Sequence, residues 1–503
     1  MRLLLISNLF PPKILGGYEL AAHDLAQALA ERGHTVRVLT SAGTGALAVS
    51  PDESETDASR AGVDVRRELR LTAYGPAMEL TREEELKLHF EHMISQPVNS
   101  HLVLETLREF QPDAVQVFNV IGIGGAALLD VLRHSGVPFS LNLGDAIPVE
   151  VLRELPRAVH DVYAAPGVAA EAFFADIPLV AVSSKLATEI SRFGVELSGD
   201  RLIVPRGIRV PAGLTRRGSG AAGETALPAS AAEGTAGVPA AAQRTFRFVF
   251  ASVLFAHKGV DLVLDAAAAL LGEATEASKA SAASAASQAS AGSPASGAFT
   301  VDMFGAGDDA FYRRRAEELG LSGVVRFHGN VDRAVLYDSL ATADAFLFPT
   351  AEREALGQVG LQAAALGCTP IVTAQAGVSE WLSDEAHCLK IDRTVESLAE
   401  AMRRVVAGEV DVDTLGRRAQ RLMNENYSFE TYVDAVFEFM TRPRTAAAAS
   451  AHLDVEGDSD IDSESDIDDK DKKARRVLSA WLAETRGVSD DLVVPRRSSE
   501  WPD

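Results

Sequence analysis

The stretch from Phe346 to Trp381 constrains this chain more than any other. It reads as a short apolar strand, Phe346–Phe348, then a Pro–Thr turn and a loop carrying Glu352 and Glu354. Gly357 opens a helix expected from about Gln358 to Leu366. A second strand, Pro370–Thr373, then runs into a loop at Gly377. Short continuous apolar runs suit strands buried on both faces, as in parallel sheets. A strand, a glycine turn and a helix leave backbone N–H groups unpaired at the helix N-terminus, where an anion binds well.

The same arrangement opens the chain. Arg2–Ser7 is an apolar strand, Gly16–Gly17 precede a helix expected from about Tyr18 to Arg32, Gly33 stops it, and Thr35–Thr40 is the next strand. This is the opening of a doubly wound α/β unit. Ala114–Phe118, Phe139–Leu143, Leu179–Ser183 and Leu202–Val204 add strands to it. Glu79–Phe110 reads as helical. A second series begins at Phe246–Phe250 and continues through the helix Asp261–Leu271 and the strands Phe299–Phe304 and Val324–Phe327. With 503 residues, 47% of them hydrophobic, the chain suits two cores rather than one. The expected class is therefore α/β, with two Rossmann-like doubly wound domains.

Between and beyond them the composition changes. Residues 41–60 are polar and expected to form a loop. Pro211–Gln243 and Gly272–Gly297 are rich in Ala, Gly and Ser and bury too little apolar surface to offset their ordering entropy. They read as a flexible linker and a disordered insertion. Val395–Val406 reads as a helix. From residue 444 on the chain reads as a disordered tail, acidic between Asp454 and Asp469, with a short apolar face at Val477, Leu478, Trp481 and Leu482. The expected domains are residues 1–210 and 244–425, joined by a linker at 211–243, with a helix at 426–442 returning to the first.

A net charge of −23 argues against nucleic acid as a partner. Cys368 and Cys388 make no disulfide framework and fit a reducing compartment. No apolar run reaches the ~18 residues of a spanning helix, and the N-terminus reads as a buried strand. A cytoplasmic protein with no indicated membrane association is expected.

Several of these motifs together resemble the retaining glycosyltransferases of family 4, the glycogen-synthase-like group 1 enzymes with the GT-B fold. Glu354 falls on the first carboxylate of that family's Glu-x7-Glu pattern, while Gln362 stands at the second. Gly16–Gly17 match its paired glycines, Lys258–Gly259 its Lys-Gly pair, and PRGI at 205–208 its PNGI turn. The run from Phe327 to Thr350 matches its strand, FxG and helix pattern. The resemblance spans about Met1–Arg442 outside the two insertions. It implies two domains facing across a cleft, a nucleotide-sugar donor, an unidentified acceptor, retention of anomeric configuration and no catalytic metal. The family is thought to deprotonate the acceptor through the donor phosphate.

The departures matter as much. Val253 stands where the family has an arginine, and Phe118 and Gly144 replace two imidazoles, leaving Asn142 and Asp145 as substitutes. Arg206, Lys13 and His257 are cations that could compensate.

Glycosyl transfer needs the leaving diphosphate stabilised as the anomeric C–O bond breaks. Lys258 and the N–H groups at Gly357, Gln358 and Val359 are the candidates, and Glu354 can orient sugar hydroxyls. Lys258 and Glu354 are therefore the expected catalytic residues. Gly16, Gly17, Asp145, Gly357, Gln358, Val359 and Gln362 are the expected substrate contacts. The resemblance puts Gln362 at the ribose and the base near Phe327–Val331, where His328 reads as a loop residue. Gln362 forgoes at most one charge-assisted bond of ~1.5–3 kcal/mol, and Val253 a contact of similar size. A degenerate protein that binds a nucleotide sugar or a partner without turnover is the alternative. A GT-B epimerase or phosphorylase is a further rival, though no motif marks a lysine for pyridoxal phosphate.

Overall fold

The computed structural model describes residues 1–44, 48–49, 61–72, 81–153, 172–211, 214, 244–284, 298–351 and 354–442. Almost all of the expected linker, the second half of the expected insertion and the whole acidic tail lie outside them, as do Glu352 and Arg353. The chain divides into two compact units. Among the described residues, one comprises those within Met1–Ala181 and Ala187–Leu202 and residues 435–442; the other comprises those within Val182–Leu186 and Ile203–Asp434.

The first unit is built on a seven-stranded sheet. Its strands are β1 (Arg2–Ile6), β2 (Thr35–Ser41), β3 (Asp64–Leu69), β4 (Ala114–Val117), β5 (Phe139–Leu143), β6 (Leu179–Ala181) and β7 (Arg201–Ile203), in the order β3-β2-β1-β4-β5-β6-β7. β1 pairs in parallel with both β2 and β4, so the strand order reverses between β1 and β4. Leu3–Ile6 are fully buried, as a strand covered on both faces requires. Helix α1 (Gly17–Glu31) follows the paired glycines; the Glu19 carboxylate accepts the Gly16 N–H at 2.9 Å and closes its first turn. The segment expected as one helical stretch is two helices, α2 (Arg82–Met93) and α3 (Pro97–Phe110). Pro97 cannot continue a helix from before it but suits the first turn of a new one. Helices α4 (Gly125–His134), α5 (Ile147–Arg153) and, from Ala187 on, α6 (Ser184–Arg192) follow among the described residues, the first turn of α6 clustering with the second unit.

The second unit carries a six-stranded sheet. Its strands are β8 (Phe246–Ala251), β9 (Phe299–Phe304), β10 (Val325–Gly329), β11 (Ala345–Phe348), β12 (Thr369–Thr373) and β13 (Leu389–Ile391), in the order β10-β9-β8-β11-β12-β13. All five pairings are parallel. The order reverses between β8 and β11, the crevice where open α/β sheets bind ligands at the carboxyl ends of the strands. Phe248, Phe250, Phe299, Val301 and Met303 share one core with Leu264 of α7 (Val260–Ser284).

One expectation needs correction here. The Ala/Ser segment from Gly272 is not irregular at its start, because α7 runs on through it to Ser284. Alanine loses little side-chain entropy in a helix, so an established helix propagates through it. Further on come α8 (Asp309–Glu318), α9 (Arg333–Thr342), α10 (Gln358–Ala365), α11 (Val395–Val406), α12 (Val412–Asn426) and α13 (Phe429–Thr441). The sequence reading did not anticipate α12. Residues of α13 up to Asp434 cluster with the second unit and those from Ala435 with the first, where Phe437 stacks on His34 at 4.7 Å.

Candidate functional site

The switch point of the second sheet places two loops side by side. The loop after β8 ends in a 3-10 turn, Ala256–Lys258, closed by the Gly259 N–H bonding the Ala256 carbonyl at 2.9 Å. The loop after β11 runs from Pro349 to Gly357 and carries Glu354. Because β8 and β11 pair, residues 96 positions apart in the chain meet, and Lys258 Nζ donates to Glu354 Oε2 at 2.5 Å. Both side chains keep a solvent-facing fraction, 22% for lysine and 18% for glutamate. The second Glu354 oxygen accepts the Gly357 N–H at 3.2 Å, immediately before α10. One carboxylate thus ties the cation to the entrance of a helix N-terminus.

The backbone holds Glu354 in place. Its N–H donates to the Ala351 carbonyl at 3.0 Å, and its carbonyl accepts the Gly377 N–H at 2.8 Å. The next carbonyl, of Ala355, accepts Ser183 Oγ at 2.6 Å. Glu380 in turn accepts the N–H groups of Ser184 and Lys185 at the first turn of α6. Ser183 and Glu380 were not singled out in the sequence, since their partners are 172 and 196 positions away.

Gly357 is required at its position. It sits at φ +73°, and a Cβ there would lie 2.5 Å from a Phe348 ring carbon. That conformation turns the chain into α10, which presents Gln358 and Val359 in its first turn and Gln362 one turn later, all half-buried. The N–H groups of such a first turn have no partner within the helix and carry its positive dipole end.

The departures from the expected pattern are also visible. Val253 is 43% exposed at the rim of this loop, an apolar surface where a cation was expected. Beside it His257 stacks on Phe255 at 5.8 Å. Arg393 reaches the same turn from beyond β13, its Nη2 donating to the Ala256 carbonyl at 3.0 Å. Arg206 is buried. The structure brings Lys258, Glu354 and Gly357 into direct contact, and sets Gln358, Val359 and Gln362 on the helix that follows.

The first unit holds the remaining expected residues. Gly16 is exposed ahead of α1 and Gly17 opens that helix. Asp145 is exposed beyond β5, and its Oδ1 accepts Tyr18 Oη at 2.9 Å and the Ile147 N–H at 3.2 Å. The same hydroxyl accepts the Gly144 N–H at 2.7 Å, so Tyr18 joins the loop after β5 to α1. Asn142 and Phe118 are fully buried. Asn142, expected as a substitute donor contact, is therefore an interior side chain, because it lies within β5 rather than beyond its end. Arg67 of β3 donates to the carbonyls of Phe10 and Pro11 and holds the start of the loop that leads to Gly16.

Comparison with known proteins follows these two units. Residues 16–207 match the family model described as a glycosyl transferase 4-like domain, and residues 237–422 the one described as glycosyl transferases group 1. No curated protein sequence matches the chain. Among solved structures, sucrose-phosphate synthase from Thermosynechococcus elongatus is similar at a TM-score of 0.59 and 16% identity, covering 87% of this chain and 97% of its own. A glycosyltransferase from Rickettsia africae gives 0.57 at 13% identity, covering 90% and 99%. HepE of Anabaena, in complex with UDP and glucose, gives 0.53 at 15% identity, covering 87% and 98%. At these identities the likeness is one of fold, that of two parallel-sheet, Rossmann-like domains as in GT-B proteins.

Proposed function

Since the chain belongs to the group 1 glycosyltransferases, we propose that it moves a sugar from a nucleoside-diphosphate donor to an acceptor hydroxyl, with retention and without a catalytic metal. The observation that carries this reading is the Lys258–Glu354 pair at the β8/β11 switch point, against the glycine that opens α10. A diphosphate fits such a place: one mobile ammonium, one helix N-terminus, and a carboxylate able to exchange its lysine for sugar hydroxyls. The HepE structures that hold UDP and UDP-glucose support a nucleotide sugar as the donor class.

In the proposed reaction the anomeric C–O bond to the diphosphate breaks and charge grows on the leaving oxygen. Lys258 and the first N–H groups of α10 meet that charge, which stabilises the transition state more than the ground state. Glu354 accepts hydrogen bonds from the donor sugar, and Gln362 takes the ribose. The acceptor hydroxyl attacks on the face the diphosphate leaves, and its proton passes to a leaving phosphate oxygen.

Exposed Val253 favours a second reading, a protein that binds the donor without turning it over. A panel of nucleotide sugars with mass detection of released nucleoside diphosphate decides between them. Release from at least one donor supports transfer or donor hydrolysis. Tight binding with no release from any donor supports the second reading.

A further inference from the structure

Glu354 owes its place partly to a hydroxyl that lies far from it in the chain. Ser183 belongs to the short stretch Val182–Leu186, which clusters with the second unit although β6 before it and α6 from Ala187 on belong to the first. Its side chain is fully buried, and a hydroxyl without access to water has to find its partners within the protein.

The chemistry of those partners fixes the direction of each bond. The Ala355 carbonyl can only accept, so Ser183 Oγ donates to it, at 2.6 Å. The Leu186 N–H can only donate, so the same oxygen accepts from it, at 3.2 Å. The bond to Leu186 is a helix N-cap, a task that Asp, Asn or Thr performs as well as Ser. The bond to Ala355 is something else, because a cap needs no donor, and a carboxylate in this place would face the carbonyl with like charge. The start of α6 also has a second acceptor, since Glu380 Oε2 takes the N–H groups of Ser184 and Lys185 at 2.9 and 3.2 Å. Capping α6 therefore accounts for only half of what Ser183 does.

The donated bond falls where the main chain beside Glu354 is held most closely. The Glu354 carbonyl accepts the Gly377 N–H at 2.8 Å, and a Cβ on Gly377 would lie 2.0 Å from the Ala355 carbonyl oxygen. Ala355 and Leu356 are buried, whereas the Glu354 side chain keeps 18% of its surface. A carboxylate that meets solvent while its own backbone is locked from several sides is preorganised for a ligand, because a side chain is placed no better than the main chain that carries it.

We infer that Ser183 is a positioning residue for the Lys258–Glu354 pair. Its O–H, given to the Ala355 carbonyl, keeps the Glu354 carboxylate within reach of both Lys258 Nζ and the Gly357 N–H. Ser183 acts through the main chain alone and takes no part in contacting the donor. Its role in sugar transfer rests on the proposed donor site, but the geometry it fixes is measurable without a donor.

Acetylation of the full chain by N-hydroxysuccinimidyl acetate, read lysine by lysine by mass spectrometry, tests it, because an ammonium held by a carboxylate reacts slowly. In Ser183→Ala, Lys258 should be labelled about fivefold faster than in the wild type, the scale of one lost hydrogen bond. Lys390 should keep its rate, which reports that the unit is still folded. Ser183→Cys, similar in size with a weak donor, gives the same reading if the alanine variant melts below the assay temperature. Ser183→Thr restores the O–H and should return Lys258 toward the wild-type rate. Glu380→Ala removes a cap from α6 but leaves the Ala355 bond, so it should lower the melting temperature without changing Lys258. Inorganic pyrophosphate should protect Lys258 in the wild type. A wild-type rate at Lys258 in Ser183→Ala and Ser183→Cys would assign the hydroxyl to the helix alone and overturn the inference, as would equal acceleration in Ser183→Ala and Glu380→Ala. Absence of protection by pyrophosphate would overturn the donor-site reading and leave the positioning of the pair by Ser183 standing.

Discussion

Lys258 and Glu354 are each other's partner, the ammonium and carboxylate 2.5 Å apart across two adjacent loops. In the proposed donor site a diphosphate would therefore compete with Glu354 for the lysine, and a donor sugar with the lysine for Glu354. The two residues act as one exchangeable pair, so changing either alters what the other offers.

Gln362 stands on α10, one turn after its start. Gln362→Glu should strengthen binding of a ribose-bearing diphosphate by no more than the ~1.5–3 kcal/mol of a charged hydrogen bond. It should leave inorganic pyrophosphate affinity unchanged or slightly weaker. Parallel titrations of the two ligands separate a ribose contact from a general charge effect, which would change both alike.

Gly305 offers a stability test. The Cβ of Gly305→Ala would meet the Ser252 carbonyl oxygen at 1.7 Å, at a backbone angle foreign to side-chain-bearing residues. The variant should lose about 1–3 kcal/mol in urea unfolding, whereas Gly323→Ala, whose Cβ meets nothing within 4 Å, should stay near wild type. An equal, negligible effect at both positions would show that the turn after β9 does not pack against the Ser252 carbonyl.

Asp411 caps α12, accepting the Thr414 N–H at 2.9 Å and the Thr414 hydroxyl at 2.7 Å. These bonds hold its carboxyl below the usual range, so its contribution is present above about pH 4 and fades as pH falls through the lowered folded value. Asp411→Ala should cost about 1 kcal/mol at pH 7. The gap between variant and wild type should narrow in acid. A gap that does not change between pH 7 and pH 3 would assign the loss to something other than the charged cap.

Both cysteines are buried, and burial pushes the Cys388 thiol up to about 12. Neither should react with a thiol reagent such as DTNB in the native protein at pH 8, and both should react promptly in denaturant. Fast native labelling would place one of them at the surface.

Much of this fold was legible in the sequence, because buried parallel strands are continuous apolar runs and Gly16–Gly17, Gly259 and Gly357 mark the turns between them. β3 was not, since DVRREL carries Arg66, Arg67 and Glu68 and lies at the sheet edge, where charge is tolerated. The extension of α7 was missed because low-complexity Ala/Ser composition says little about a helix already nucleated upstream. Within the site, Lys258 and Glu354 were each visible through local motifs, but their contact was not. It depends on β8 pairing with β11, a fact of topology that no spacing encodes.

The exchange of partners at the Lys258–Glu354 pair is the central claim, and nucleoside-diphosphate affinity measures it most directly. Titration of UDP and GDP into the wild type, Lys258→Ala and Glu354→Gln should move the two variants in opposite directions. Lys258→Ala removes the cation and leaves a carboxylate facing the ligand, so affinity should fall at least ~10-fold, the scale of a lost charge-assisted bond. Glu354→Gln removes the competing anion, so affinity for the sugar-free diphosphate should hold or rise. Wild-type affinity in both variants would contradict the account and place the diphosphate elsewhere.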